Sequence, residues 1–146
     1  MLKRAVAALL LLSSTLAAAG GQPSNCSDMT ISQRTIGRAQ ILTIEIDNTL
    51  SDAMTFLFHG PNAGSTGVSL PGNIAMALGI DQPFSVLPLG TTDANGELRR
   101  RLRVRANQGV FLHAQAVSIK RYGNGNQERR VPSAQACDTN VVRVRL

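Results

Sequence analysis

The apolar residues of this chain recur at every second position. Leu42, Ile44 and Ile46 alternate with Thr43, Glu45 and Asp47, and Met54, Phe56 and Phe58 alternate with Thr55 and Leu57. Leu98, Leu102 and Val104 oppose Arg99, Arg101, Arg103 and Arg105, while Val142, Val144 and Leu146 oppose Arg143 and Arg145. Successive side chains of an extended strand point to opposite faces, so a period of two buries one face and wets the other. From Val110 to Ile119 both faces are largely apolar, which predicts a central strand covered on both sides. Ala75-Met76-Ala77-Leu78-Gly79 has helix-favouring residues. It is too short to stand alone as a helix, and Ile74, Met76 and Leu78 keep the alternation, so a strand is expected there. No stretch supports a long amphipathic helix.

Turn residues punctuate these runs. Asn48-Thr49-Leu50-Ser51-Asp52 separates two strands, Gly60 to Gly67 and Pro71-Gly72-Asn73 read as loops, and Asp93-Ala94-Asn95-Gly96 reads as a hairpin turn. Arg121 to Arg130, with Gly123-Asn124-Gly125-Asn126 inside it, reads as an exposed connection. The expected fold is all-β, an antiparallel β-sandwich of about seven or eight short strands. At 146 residues the chain is also too short for a barrel enzyme, which needs about 250.

The start of the chain has a different logic. Lys3-Arg4 precedes the apolar run Ala5 to Leu12, and Ala17-Ala18-Ala19 supplies small residues for cleavage. This is the pattern of a secretory signal peptide. The expected organisation is therefore a signal peptide at 1–19 and one β-sandwich domain at 20–146, in a secreted, periplasmic or cell-surface protein. The apolar run is shorter than the roughly 20 residues a membrane span requires. In an oxidising compartment two cysteines most simply form one bond, so Cys26 and Cys137 are expected to be a structural disulfide.

Candidate chemistry is sparse. His59 and His113 are the two histidines. His59 stands beside the Gly-rich 60–67 segment, where a small secreted enzyme would place a site. The segment lacks the Gly-Lys-Ser/Thr ending of a phosphate loop, so no nucleotide is expected. Asp47, Asn48 and Asp52, and likewise Asp93, Asn95 and Glu97, supply turn oxygens without the pattern of a dedicated calcium loop. No metal and no cofactor are expected. Asn25-Cys26-Ser27 matches a glycosylation sequon whose middle residue is the expected disulfide partner.

The arginines are the unusual feature. Lys3 and Lys120 are the only lysines among 15 basic residues, set against 9 acidic ones. Arg99, Arg101, Arg103 and Arg105 occupy four successive positions on one side of a strand, about 6.5–7 Å apart. Arg143 and Arg145 repeat the pattern on the last strand, and Arg129-Arg130 lie in the connection before it. Guanidinium pairs bidentately with carboxylate, sulfate and phosphate, so the six strand arginines form a candidate site for an anionic polymer. The competing reading is a solvated sheet face that resists edge aggregation, with Glu45 and Asp47 neutralising it if their strand is adjacent. The aromatic content, 3%, counts against stacking on bases or sugar rings.

Leu78-Gly79-Ile80-Asp81-Gln82-Pro83-Phe84-Ser85-Val86-Leu87-Pro88-Leu89-Gly90, then Thr92-Asp93-Ala94-Asn95-Gly96, His113-Ala114-Gln115-Ala116-Val117 and Cys137-Asp138-Thr139-Asn140-Val141-Val142, form a series. Together they resemble uncharacterised small secreted β-sandwich proteins of environmental bacteria, over Ile41 to Leu146. The resemblance implies the fold and the compartment and brings no activity and no site residue. Three functions follow as expectations. The first is a non-enzymatic secreted or cell-envelope binding or structural module that meets an acidic glycan or surface polymer through its arginine face. The second is a small enzyme with its site near His59 and the 60–67 loop. The third is an inhibitor or partner-binding protein working through the 60–67 or 121–130 loops.

Overall fold

A computed structural model describes residues 26–70, 72–106, 108–122 and 134–146. The signal-like segment, the sequon's Asn25, Arg129 and Arg130 lie outside the described residues. The described chain forms ten strands and no helix: β1 (Asp28–Ile36), β2 (Ala39–Asp47), β3 (Met54–Gly60), β4 (Ala63–Leu70), β5 (Ile74–Ile80), β6 (Ser85–Thr91), β7 (Leu98–Arg105), β8 (Phe111–Arg121), β9 (Ala134–Asp138) and β10 (Val142–Arg145). Among the described residues no helix is long and apolar enough to cross a membrane.

All strand pairs are antiparallel. One sheet has the order β1-β2-β7, a second has the order β10-β8-β3-β6 with β9 also on β8, and β4-β5 is a separate hairpin. The alternation explains how they stack. Met29, Ile44 and Ile46 of the first sheet pack on Leu57, Leu89, Ala114 and Ala116 of the second. The opposite face of that second sheet presents Phe58, Val117 and Ile119 to Met76, Leu78 and Ile80 of the hairpin. Leu42, Val144 and Leu146 extend the first interface. The molecule is therefore a β-sandwich whose far side carries a third layer. β8 is apolar on both faces because it is covered on both, as its sequence demands.

Cys26 and Cys137 are joined, with Cα atoms 5.6 Å apart. The bond ties the entry to β1 onto β9, beside a parallel bridge between Ser27 and Thr139. β9 and β10 lie along the same edge of β8, Asp138 opposite Val117 and Val142 opposite Ala114, so they form one strand interrupted at Thr139–Val141.

Three expectations are revised. The described residues form ten strands, where about seven or eight were expected. β1 and β6 were obscured because Gln33 and Thr35 break the apolar row of one and Pro88 sits within the other, tolerated on an edge strand. Most of the 60–67 segment is not a loop: Ala63 to Leu70 pairs with β5, and an irregularity between Ala63 and Thr66 takes up Gly64-Ser65. The Asp81 carboxylate accepts the Ser65 N–H at 3.2 Å, supplying a bond the ladder omits. Finally, Asp93–Gly96 is a tight turn, but it links β6 to β7, which belong to different sheets. Asp93 Oδ1 accepts the N–H groups of Asn95 and Glu97, both at 2.9 Å. Gly96 has φ +73°, and a Cβ there would strike the Thr49 carbonyl.

Candidate anion-binding faces

The pairing of β2 with β7 settles what flanks the arginine ladder. Glu45 stands opposite Arg99, Thr43 opposite Arg101, Ile41 opposite Arg103 and Ala39 opposite Arg105. On the other side of β2, Thr30, Ser32, Arg34 and Ile36 of β1 complete the four rows. All four ladder arginines are exposed on this outer face. Arg34 shares the row of Ile41 with Arg103. Strands are about 4.8 Å apart, so the two backbones stand about 10 Å apart.

The neutralising strand is thus adjacent, and it neutralises one arginine. Arg99 Nε lies 3.1 Å from Glu45 Oε1, with both side chains substantially exposed (63% and 44%). Such a pair contributes at most about 1 kcal/mol to stability. Among the described residues, no carboxylate lies within ion-pair distance of Arg34, Arg101, Arg103 or Arg105. Asp28 and Asp47 face each other at the Glu45 end of the sheet, so the face is graded from acidic to basic along the strands. Arg100 lies opposite Ile44 in the inner row, and it escapes to solvent because β7 is an edge.

Arg143 and Arg145 do not join this face. They belong to β10, opposite His113 and Phe111 of β8. Their neighbours Val144 and Leu146 point into the core shared with β2, so both arginines project from the far face of the second sheet. There the Arg143 guanidinium lies 3.9 Å above the centre of the Phe111 ring, and that of Arg145 lies 5.7 Å from it. Phe111 and Tyr122 are 41% and 38% exposed, so the low aromatic content does not leave the surface free of aromatics. A guanidinium already covers a face of Phe111.

The histidines do not meet. His59 pairs with Ala114 and His113 with Gly60, so they sit on adjacent strands but on opposite faces of the sheet. Burial lowers the pKa of His59 from its ordinary 6.5. His113 Nδ1 lies 3.3 Å from the Pro61 carbonyl oxygen. Among the described residues no group of three His, Cys, Asp or Glu side chains is placed to hold a metal.

The segments behind the resemblance form a buried polar knot. At the interruption between β9 and β10, Gln115 Nε2 donates to the Thr139 carbonyl at 2.8 Å and to Asp138 Oδ2 at 3.0 Å, while its Oε1 accepts the Gly79 N–H at 2.8 Å. Thr139 Oγ1 accepts the Ala116 N–H. Asn140 reaches β1, its Oδ1 accepting the Met29 N–H at 2.7 Å and its Nδ2 donating to the Met29 carbonyl at 3.2 Å. One short segment therefore stitches all three layers, and Gly79 is needed because a Cβ would come within 2.6 Å of Val141. Gln115 in an apolar strand was the signal in the sequence: a buried carboxamide needs partners. No protein-family profile, curated protein or solved structure matches this chain.

Proposed function

We propose that the protein is a non-enzymatic module of the cell envelope or extracellular space that binds anionic polysaccharide through the outer face of β1-β2-β7. The observation that carries this reading is that Arg101, Arg103 and Arg105 stand in successive rows without an acid opposite them, with Arg34 beside them. Arginines about 6.5–7 Å apart repel by about 0.6 kcal/mol per pair in water, less in salt, so the face holds its charge at small cost. A polymer bearing carboxylate or sulfate relieves that repulsion and gains charge-assisted hydrogen bonds along the row. The signal-like start, the Cys26–Cys137 bond and the resemblance support an oxidising compartment outside the cytoplasm.

The test is retention of the purified domain on heparin against a sulfonate exchanger of matched charge density. Later elution from heparin is expected, with the eluting salt clearly lowered when Arg99, Arg101, Arg103 and Arg105 are replaced by Ser. Glu45→Gln, which frees Arg99, is expected to raise the eluting salt. Elution at equal salt on both columns, with no response to Glu45→Gln, would reduce the arginines to a solvated face.

A further inference from the structure

Resting on that reading, we infer that the protein is bivalent: a second basic site, built from Arg143, Arg145 and Phe111, binds a second polysaccharide chain, so that one molecule bridges two. Alternation along β10 turns Arg143 and Arg145 away from the core that Val144 and Leu146 enter, and the ladder points outward from the other sheet of the same sandwich. Stacked sheets lie about 10 Å apart. With arginine side chains extending outward from each, the two clusters cannot engage one straight polymer segment. β10 also adjoins β1, whereas the ladder lies on β7 at the opposite edge of its sheet, which separates the clusters further.

The second cluster is ordered rather than merely charged. The Phe111 ring lies under the Arg143 guanidinium at 3.9 Å, with Arg145 at 5.7 Å. Stacking fixes the plane of a guanidinium while leaving its N–H edges free for a carboxylate or sulfate, and it lowers the entropy lost on binding. Among the described residues neither arginine has a carboxylate within ion-pair distance. Phe111 would otherwise be an unexplained exposed aromatic, 41% accessible at the start of an otherwise interior strand.

The test is a bridging assay. The mature protein is loaded onto a heparin-coated surface, washed, and offered fluorescent heparin, with fluorescent polygalacturonate in a parallel arm to separate sulfate from carboxylate recognition. Wild type is expected to capture the second chain in at least one arm. Arg143→Ser with Arg145→Ser is expected to stay on the surface and lose at least tenfold of the capture. Arg101→Ser with Arg103→Ser is expected to do the same, binding through its other face. Arg100→Ser with Arg121→Ser removes two charges from outside both clusters and is expected to keep bridging. Phe111→Leu retains every charge and is expected to weaken capture severalfold, which keeps the test decisive if an arginine pair fails to fold. A wild type that binds the surface but captures nothing overturns bivalence and leaves the ladder reading intact. A wild type that does not bind at all overturns both. Equal loss in the Arg100/Arg121 control would make bridging a matter of net charge and also overturn the inference.

Discussion

Replacing Gln115 with Leu tests whether the polar knot holds the layers together. The substitution keeps roughly the shape of the side chain and removes three hydrogen bonds at once, from the Gly79 N–H and to the Thr139 carbonyl and Asp138 Oδ2. Gln115 is 4% exposed, Asp138 4% and Thr139 1%, so water does not replace the partners lost at Thr139 and Asp138 without cavities opening, while the Gly79 N–H is partly buried. Leaving a buried donor or acceptor unmet costs about 1–3 kcal/mol, and a bond to a charged group about 1.5–3. The expected loss is about 3–6 kcal/mol, a large share of the 5–15 kcal/mol that holds a typical domain. Urea unfolding followed by circular dichroism should show a lower midpoint with an unchanged slope. The double variant with Thr139→Val, which also removes the acceptor of the Ala116 N–H, should lose less than the sum of the two single losses because both cut one network. A loss under about 1 kcal/mol, or strict additivity, would refute the claim that this knot joins the sheets.

Removing the disulfide with Cys26→Ser and Cys137→Ser should cost about 4–5 kcal/mol, because the bond closes a loop of 111 positions, and thermal unfolding without reductant measures it. Gly96→Ala should cost about 1–3 kcal/mol or more, since it combines a positive φ with a clash on the Thr49 carbonyl; an unchanged melting temperature would contradict the turn geometry. Burial lowers the His59 pKa, so the unfolded chain binds a proton that the folded one resists. Stability should therefore be full above pH 6.5 and fall as pH drops through 6.5 toward the lowered value, and His59→Gln should flatten that slope in melting curves recorded from pH 7.5 to 5.

Alternation alone determined much of this protein. It marked the inward rows of β2, β5, β7 and β10, and it identified β8 as a strand apolar on both sides, because side-chain direction along one strand is a local property of the backbone. It misjudged β3, where Thr55 and Leu57 are buried as well as Phe58 and Met54 is exposed, because that strand is also covered on both faces. The Cys26–Cys137 bond was legible from compartment and count. β4 was not legible. Its Gly64, Ser65 and Gly67 carry no strand preference of their own, and pairing with β5 and the Asp81 side chain hold them extended.

Strand partners were beyond the sequence as well, because pairing joins residues far apart in the chain and is decided by the packing of whole layers. That choice put Glu45 against Arg99 and left Arg101, Arg103 and Arg105 facing neutral residues. It also brought Arg34 to the same face. In sequence, Arg99, Arg101, Arg103 and Arg105 of β7 and Arg143 and Arg145 of β10 look like one repeated pattern. The tertiary structure assigns them to opposite faces of a sandwich, because each strand turns its apolar row toward the shared core and so sends its arginines outward in opposite directions.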